Sequence, residues 1–194
     1  MIAEPLRFLV DRLATPIGEL QIVADEGGRL RTIDWTDHES RMRALLDRYY
    51  GKGGYALRPA RNPGGLTEAM RSYFAGDIGI IDTLPVETAG TPFQKSVWRA
   101  LRKIGNGKTI TYAELARRIG KPRAIRAAGL ANGQNPISIV IPCHRVIGSD
   151  GTLTGYGGGL PRKKWLLEHE GVKNRFSIRG SSSSPARRQT SPAT

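Results

Sequence analysis

Thr91 stands three residues ahead of Gln94, and Thr111 three residues ahead of Glu114. Each pair has the form of a capping box, in which a hydroxyl and a longer polar side chain satisfy the first free N–H groups of a helix. Pro92 falls at the first helical position after the first box. Two helix starts this close leave the chain little freedom. "TPFQKSVWRALRKI" is expected to be one helix, with Phe93, Val97 and Leu101 on one face, and "TYAELARRIG" a second. After the turn "GKP" comes "RAIRAAGLANGQN", a run of small residues with Arg123 and Arg126 one turn apart. Helix, tight turn, helix is the outline of a helix-turn-helix. Short helix pairs also occur in bundles, so the outline alone leaves DNA binding open.

Charge narrows the choice. The 194 residues carry a net charge of +13. Residues 1–90 contribute −2, residues 91–177 contribute +12, and the last 17 contribute +3. A neutral half joined to a strongly basic half points to a polyanion partner, most often nucleic acid. A generically basic chain would give the same total, but not by itself this helix pair. Ala127 and Gly129 would let the second helix approach a groove closely.

Residues 1–84 contain no chemical cluster and read as a supporting domain. "LRFLVDRLAT", "GELQIVAD" and "RLRTIDW" alternate like strands of a small antiparallel sheet, punctuated by "TPIG" and "DEGG". "DHESRMRALLDRYY" spaces Met42, Leu45, Leu46 and Tyr49 as a helix, with Asp37 as its expected cap. "GKGGYALRPARNPGG" reads as loop, and "NPGGLTEAMRSYFAG" as a helix that Asn62 can cap. "DTLPVETAG" reads as an extended connector. Residues 85–90 are taken as the link to a second domain, 91–177. There "ISIVI" is expected to be a buried strand, "TLTGYGGG" a loop and "LPRKKWLLEHEG" the last helix, stopped by Gly171. The polar tail, 178–194, is expected to be disordered.

No window approaches the roughly 18 apolar residues of a membrane span. The N-terminal "MIAEPLRFLVDRL" lacks the apolar centre of a signal peptide. The single cysteine excludes an intramolecular disulfide and fits a reducing compartment, so a cytoplasmic location is expected.

That cysteine, Cys143, follows Pro142 and precedes His144 and Arg145. Proline removes a backbone donor and ends a strand. His144 offers a base or a cationic neighbour, and Arg145 adds positive charge, which favours thiolate. Adjacent side chains of a strand point to opposite faces. Cys143 and His144 can therefore cooperate only if the backbone turns there. Three readings stay open on the residues alone: a nucleophile for group transfer, a cysteine hydrolase with donors from the glycines near 155–159, and an inert buried cysteine. Zinc is disfavoured, because one cysteine and His38, His144 and His169 show no ligand spacing.

"IPCHRVIGSDGTLTGYGGGLPRKKWLLEHEGV" resembles the active-site region of the O6-alkylguanine-DNA alkyltransferases, the methylated-DNA–protein-cysteine methyltransferases. The PCHR core, "NPI" just upstream and the preceding helix pair carry the likeness, which spans about 91–172. Residues 1–90 agree in layout with that family's ribonuclease-H-like domain. The resemblance implies an α/β (α+β) fold: an antiparallel sheet with helices, then a mostly helical DNA-binding and active-site domain. It implies that Cys143 accepts the alkyl group of O6-alkylguanine, and of O4-alkylthymine, once per molecule. His144 would take the thiol proton, directly or through water, and Glu170 would hold the imidazole or that water. Asn135 would brace the turn. Tyr112 would press on a phosphate, and Arg126 would fill the space left by the flipped base, with Arg123, Ala127 and Gly129 also at the DNA. Tyr156, Gly157, Val146 and Tyr112 would line the base pocket. Gly157 stands where some relatives have serine, so a backbone N–H is expected to contact the base. No cofactor is implied, since the damaged duplex supplies the alkyl group. A monomer that binds double-stranded DNA, with no membrane and no obligate protein partner, completes the expectation.

Overall fold

The three alternating runs pair as expected. Strands β1 (Leu6–Thr15), β2 (Gly18–Asp25) and β3 (Leu30–Trp35) form an antiparallel meander. The computed structural model describes residues 4–173 and Phe176, so the expectation for the tail lies outside the described residues. Leu13, Leu20, Ile22, Ile33 and Trp35 bury one sheet face in the main core. Phe8 and Val23 bury the other under α1 (Glu39–Tyr50), against Met42 and Leu46.

Two expectations in this half are corrected. "YALRP" is a strand, β4 (Tyr55–Pro59), which pairs parallel to β1 and makes the sheet order β3-β2-β1-β4. Glycines on one side and prolines on the other hid a run too short to show alternation. Asp37 does not cap α1: it lies in a 3-10 turn, and its carboxylate pairs with Arg162 from the far end of the chain. Asn62 adopts a left-handed conformation, and its side chain accepts from Glu68 N, inside α2 (Leu66–Phe74).

The connector opens with a short helix, α3 (Ile80–Thr83), and then runs along β3, where Leu30 exchanges backbone bonds with Pro85 and Glu87. Helix α4 (Pro92–Leu101) begins at a complete capping box. The second box is half made. Thr111 caps α5 (Tyr112–Arg118), but the Glu114 carboxylate turns to Arg117 and Arg118 instead. Helix α6 (Ile125–Gly133) packs on α4 and α5 through Ala128 and Ala131, and the Trp98 indole donates to Ala131 O at 2.9 Å. The last helix, α7 (Leu160–His169), ends at Glu170, and Gly171 takes the left-handed φ of +83° that stops it.

"ISIVI" is buried as expected but is not a strand. Only Ile137 bridges to β3, at Ile33; the next residues turn, with Ile139 at φ +72°. A β-branched residue there carries strain of roughly 1–3 kcal/mol. Apolar composition reported burial correctly and could not report that the polar groups of this turn are served by a side chain rather than a ladder. The sheet edge holds the turn from below: Ile33 N donates to Pro136 O at 3.0 Å, Ser138 N to Ile33 O at 3.0 Å, and the Thr32 hydroxyl to Pro136 O at 2.6 Å. The N-terminal sheet thereby positions the segment leading to Cys143.

Candidate active site

Asn135, fully buried, organises that turn. Its amide donates to Ile141 O at 2.7 Å and Ile137 O at 3.3 Å, while its carbonyl accepts from Ile137 N at 3.0 Å. The same amide lies 3.2 Å from Cys143 Sγ, placed to donate to a thiolate. Cys143 starts a three-residue 3-10 turn, Cys143–Arg145, so the backbone does turn where cooperation with His144 requires it. Sγ sits at the inner end of the site with 5% of the residue exposed.

Burial pushes the Cys143 thiol up. The Asn135 amide opposes this, followed by the positive charges of Arg41 and Lys163, while Asp34 acts with burial. Arg145, expected to supply charge here, does something else. Its guanidinium is buried and bound to Glu170 at 2.7 and 2.8 Å, to Asn106 at 2.6 Å and to Ile104 O. Its charge is matched by Glu170 before it can serve the thiol.

Glu170 gathers four donors' worth of contacts. Oε1 lies 2.9 Å from His144 Nε2, accepts from Tyr73 Oη at 2.9 Å and from Arg145 Nη2; Oε2 accepts from Arg145 Nε. Burial alone would raise its pKa, but the hydrogen bond from His144 and the charge and hydrogen bonds of Arg145 outweigh burial and hold it well below the usual carboxylate range. His144 is pushed the other way: burial lowers its pKa against the pull of Glu170, so the ring is neutral near pH 7. With Nε2–H donated to the carboxylate, Nδ1 is the basic nitrogen. Nδ1 is buried and has no hydrogen-bond partner among the described residues. No direct hydrogen bond joins it to Sγ.

Above the thiol lies the glycine-rich loop. Lys163, buried in α7, donates to Val146 O at 2.6 Å, Thr154 O at 2.7 Å and Gly155 O at 3.4 Å. It ties this loop to β6 (Val146–Ile147), which pairs with β5 (Ile110–Thr111). Burial brings its pKa down to about 8, with Cys143 opposing. Tyr156 is held well above its ordinary pKa by burial, then by Cys143 and Asp34. The Trp35 indole and Arg41 favour its ionised form, but among the described residues neither the Tyr156 hydroxyl nor the Trp35 N–H makes a hydrogen bond of good geometry. Tyr112 donates to Thr154 O at 3.3 Å, and its ring lies 3.5 Å from where a Cβ at Gly129 would be. The glycine thus gives Tyr112 room against α6. A Cβ at Gly157 would stand 2.6 Å from the Arg41 guanidinium, itself bonded to Asp34, Gly133 O and Asn135 O. Arg41 fills the space a serine would need.

The expected site residues fall into two groups. Cys143, His144, Glu170, Asn135, Tyr156, Gly157 and Val146 come together with Tyr112 at the buried end, where Val146 is sealed in the core. Arg123, Arg126 and Ala127 lie apart, exposed at and before the start of α6. Sequence reasoning missed Arg41, Asp34, Lys163 and Tyr73, because their partners are distant in the chain and each looks ordinary alone. It also missed Leu130. This leucine is 64% exposed on α6, one turn after Arg126, in a helix read as uniformly small.

Comparison with known proteins agrees with this geometry. The family model for the DNA-binding domain of 6-O-methylguanine DNA methyltransferase matches residues 92–172. A methylated-DNA–protein-cysteine methyltransferase of Shigella flexneri is 55% identical over 166 residues, covering 86% of this chain and 97% of its own length. One from Methanosarcina barkeri is 45% identical over 160 residues, 82% of this chain and 95% of that one. Among solved structures, Mycobacterium tuberculosis OGT in complex with DNA superposes with a TM-score of 0.68 at 38% identity, covering 85% of this chain and 92% of that one. Identity of this extent over more than four fifths of the chain makes it a member of the methylated-DNA–protein-cysteine methyltransferase family.

Proposed function

We propose that this protein repairs double-stranded DNA by a single-turnover transfer of the alkyl group of O6-alkylguanine, or O4-alkylthymine, to Cys143. The observation that carries the reading is the Asn135–Cys143 contact at 3.2 Å, beside a neutral His144 whose other nitrogen is held by Glu170. In it, the thiol proton passes to His144 Nδ1 through one bridging water, because the imidazole does not reach Sγ itself. Asn135, Arg41 and Lys163 stabilise the thiolate. Sγ then attacks the alkyl carbon, the carbon–O6 bond breaks, and guanine leaves with the electron pair. Tyr156, whose phenol stays protonated, donates a proton or hydrogen bond to the departing base.

An alkyl group inside a stacked duplex cannot reach a buried sulfur, so the nucleotide must first leave the stack, at a cost of a few kcal/mol. Arg126 and Leu130 are suited to offset that cost, one as a wedge and the other as an apolar contact beside it. Tyr112 presses on the neighbouring phosphate. The thioether product is stable and no group here can cleave it, so each molecule acts once. The same reading has the protein act as a monomer in the cytoplasm, where its thiol stays reduced. Duplex carrying labelled O6-methylguanine tests it. Label should move to protein at no more than one equivalent, and Cys143→Ala should abolish transfer. Transfer that survives this substitution overturns the assignment.

A further inference from the structure

The proposed repair cycle uses little of the basic half's charge. Lys95 and Arg99 lie on α4, Arg102 and Lys103 in the turn that ends it, and Arg117 and Arg118 on α5. Between the two helices runs a groove of about 580 Å³, lined by Ser96, Arg99, Arg102, Lys103, Arg118 and Ile119. No carboxylate lines it. Arg99 and Lys103 are exposed, one turn apart, and have no ion-pair partner among the described residues. Arg102 is anchored by Leu84 O and Asp82 O, and the Asp82 carboxylate offsets part of its charge. Glu114 is shared between Arg117 and Arg118, leaving that pair net positive. On the other flank of Arg99 and Arg102, Glu87 is engaged by Arg29.

The groove shares no residue with the recognition helix. Helix α6 turns Ala128 and Ala131 inward, where Trp98 of α4 meets it, and exposes Arg126 and Leu130. On α4, Val97, Trp98 and Leu101 face the core, while Arg99 and, just past the helix, Lys103 are exposed. The cleft beside Tyr112 at the start of α5 shares no residue with the groove at the end of α5. A helix of that length sets them roughly 10 Å apart.

We propose that the α4–α5 groove binds the phosphate backbone of a second DNA duplex while α6 occupies the first. Four cationic side chains along one groove, Arg99, Arg102, Lys103 and Arg118, suit a row of phosphates rather than a single anion. Two duplex contacts on one molecule would let it pass from one DNA segment to another without full release. The inference rests on the repair reading only for the first duplex; the groove's own residues touch nothing at Cys143.

The test is capture of a fluorescent undamaged duplex by protein already bound to a bead-tethered duplex, with the complex sized by ultracentrifugation. The expected result is one protein to two duplexes, and capture that falls about tenfold or more in R99E/K103E. Affinity for a single short duplex should change by about twofold or less, and reaction with free O6-benzylguanine not at all. R99Q/K103Q, with smaller charge change, should lose capture to a lesser degree and guards against a misfolded first variant. Absence of a second duplex in the wild type overturns the proposal, as does bridging that needs two protein molecules. Equal loss of first-duplex affinity also overturns it, since the groove would then belong to a single footprint. Failure of the free-base reaction in the wild type would instead sink the repair reading and leave the capture result standing.

Discussion

Arg126 and Arg145 carry the same group in opposite circumstances. Arg126 is exposed near the start of α6, with no ion-pair partner among the described residues. Arg145 is buried, and Glu170, Asn106 and Ile104 O take up its donors. The α6 face leaves Arg126 without an ion-pair partner among the described residues, and in the proposed reading a duplex supplies one. At the reaction centre the carboxylate is saturated in advance by three side chains and the turn is braced by one amide, while His144 Nδ1 and the Tyr156 hydroxyl stay open among the described residues. Preorganisation of that kind removes the cost of rearranging charges when the bond breaks. The difference predicts that substitutions at one region act on stability and chemistry together, and at the other on DNA alone.

Glu170→Gln is the largest break. It removes the charge that His144 and Arg145 face in a buried site, and should cost about 3–5 kcal/mol, measured by denaturant unfolding. The folded Glu170 pKa lies below its ordinary 4.5, so its contribution is full above that value and fades as the pH falls. The variant should therefore show a flatter acid limb in Tm against pH. A Glu170→Gln protein with wild-type stability would mean the network is not what holds this end together.

Arg126→Ala leaves the buried end untouched. Repair in duplex should fall roughly 10- to 100-fold, the equivalent of a few kcal/mol of lost support for the unstacked base. Reaction with free O6-benzylguanine should stay within about twofold, because a free base needs no flipping. Equal losses on both substrates would remove the wedge from the account.

Lys163→Met sharpens the comparison from inside. Loss of a cation near Sγ raises the thiol pKa further, so the free-base rate should rise at higher pH than in the wild type. The wild-type profile should itself bend near pH 8, where Lys163 loses its own charge. A superimposable profile would assign Lys163 to holding the loop alone. Leu130→Ala is the smallest expected effect: about 1 kcal/mol, or roughly fivefold in duplex affinity. It should leave the salt dependence of binding unchanged, whereas Arg126→Ala lowers it.

The two regions were also unequally legible in the sequence. Local rules read the recognition half well: Thr91 with Gln94, the Thr111 cap and the small faces of α6 all lie within one or two turns of what they govern. The motif likeness pointed to Cys143, His144, Asn135 and Glu170. What it could not show was use. Arg145 looked like a charge for the thiol because it is adjacent, yet its partner is Glu170, in the next helix's cap. Arg41 reaches Asn135 O and the Gly157 loop from the first helix, a contact no local pattern announces. "ISIVI" failed as a strand because Asn135 offered its backbone an alternative to a ladder. β4 was lost because five residues between glycines and prolines carry too little pattern.

The decisive measurement is the mass of the intact protein, followed by peptide mapping, after exposure to an excess of duplex containing O6-methylguanine. A single added methyl group on the thioether of residue 143, with repaired guanine in equal amount and no further turnover, is the result expected. Unmodified protein beside repaired DNA, or repair exceeding one lesion per molecule, would contradict the claim that this sulfur is the final resting place of the alkyl group.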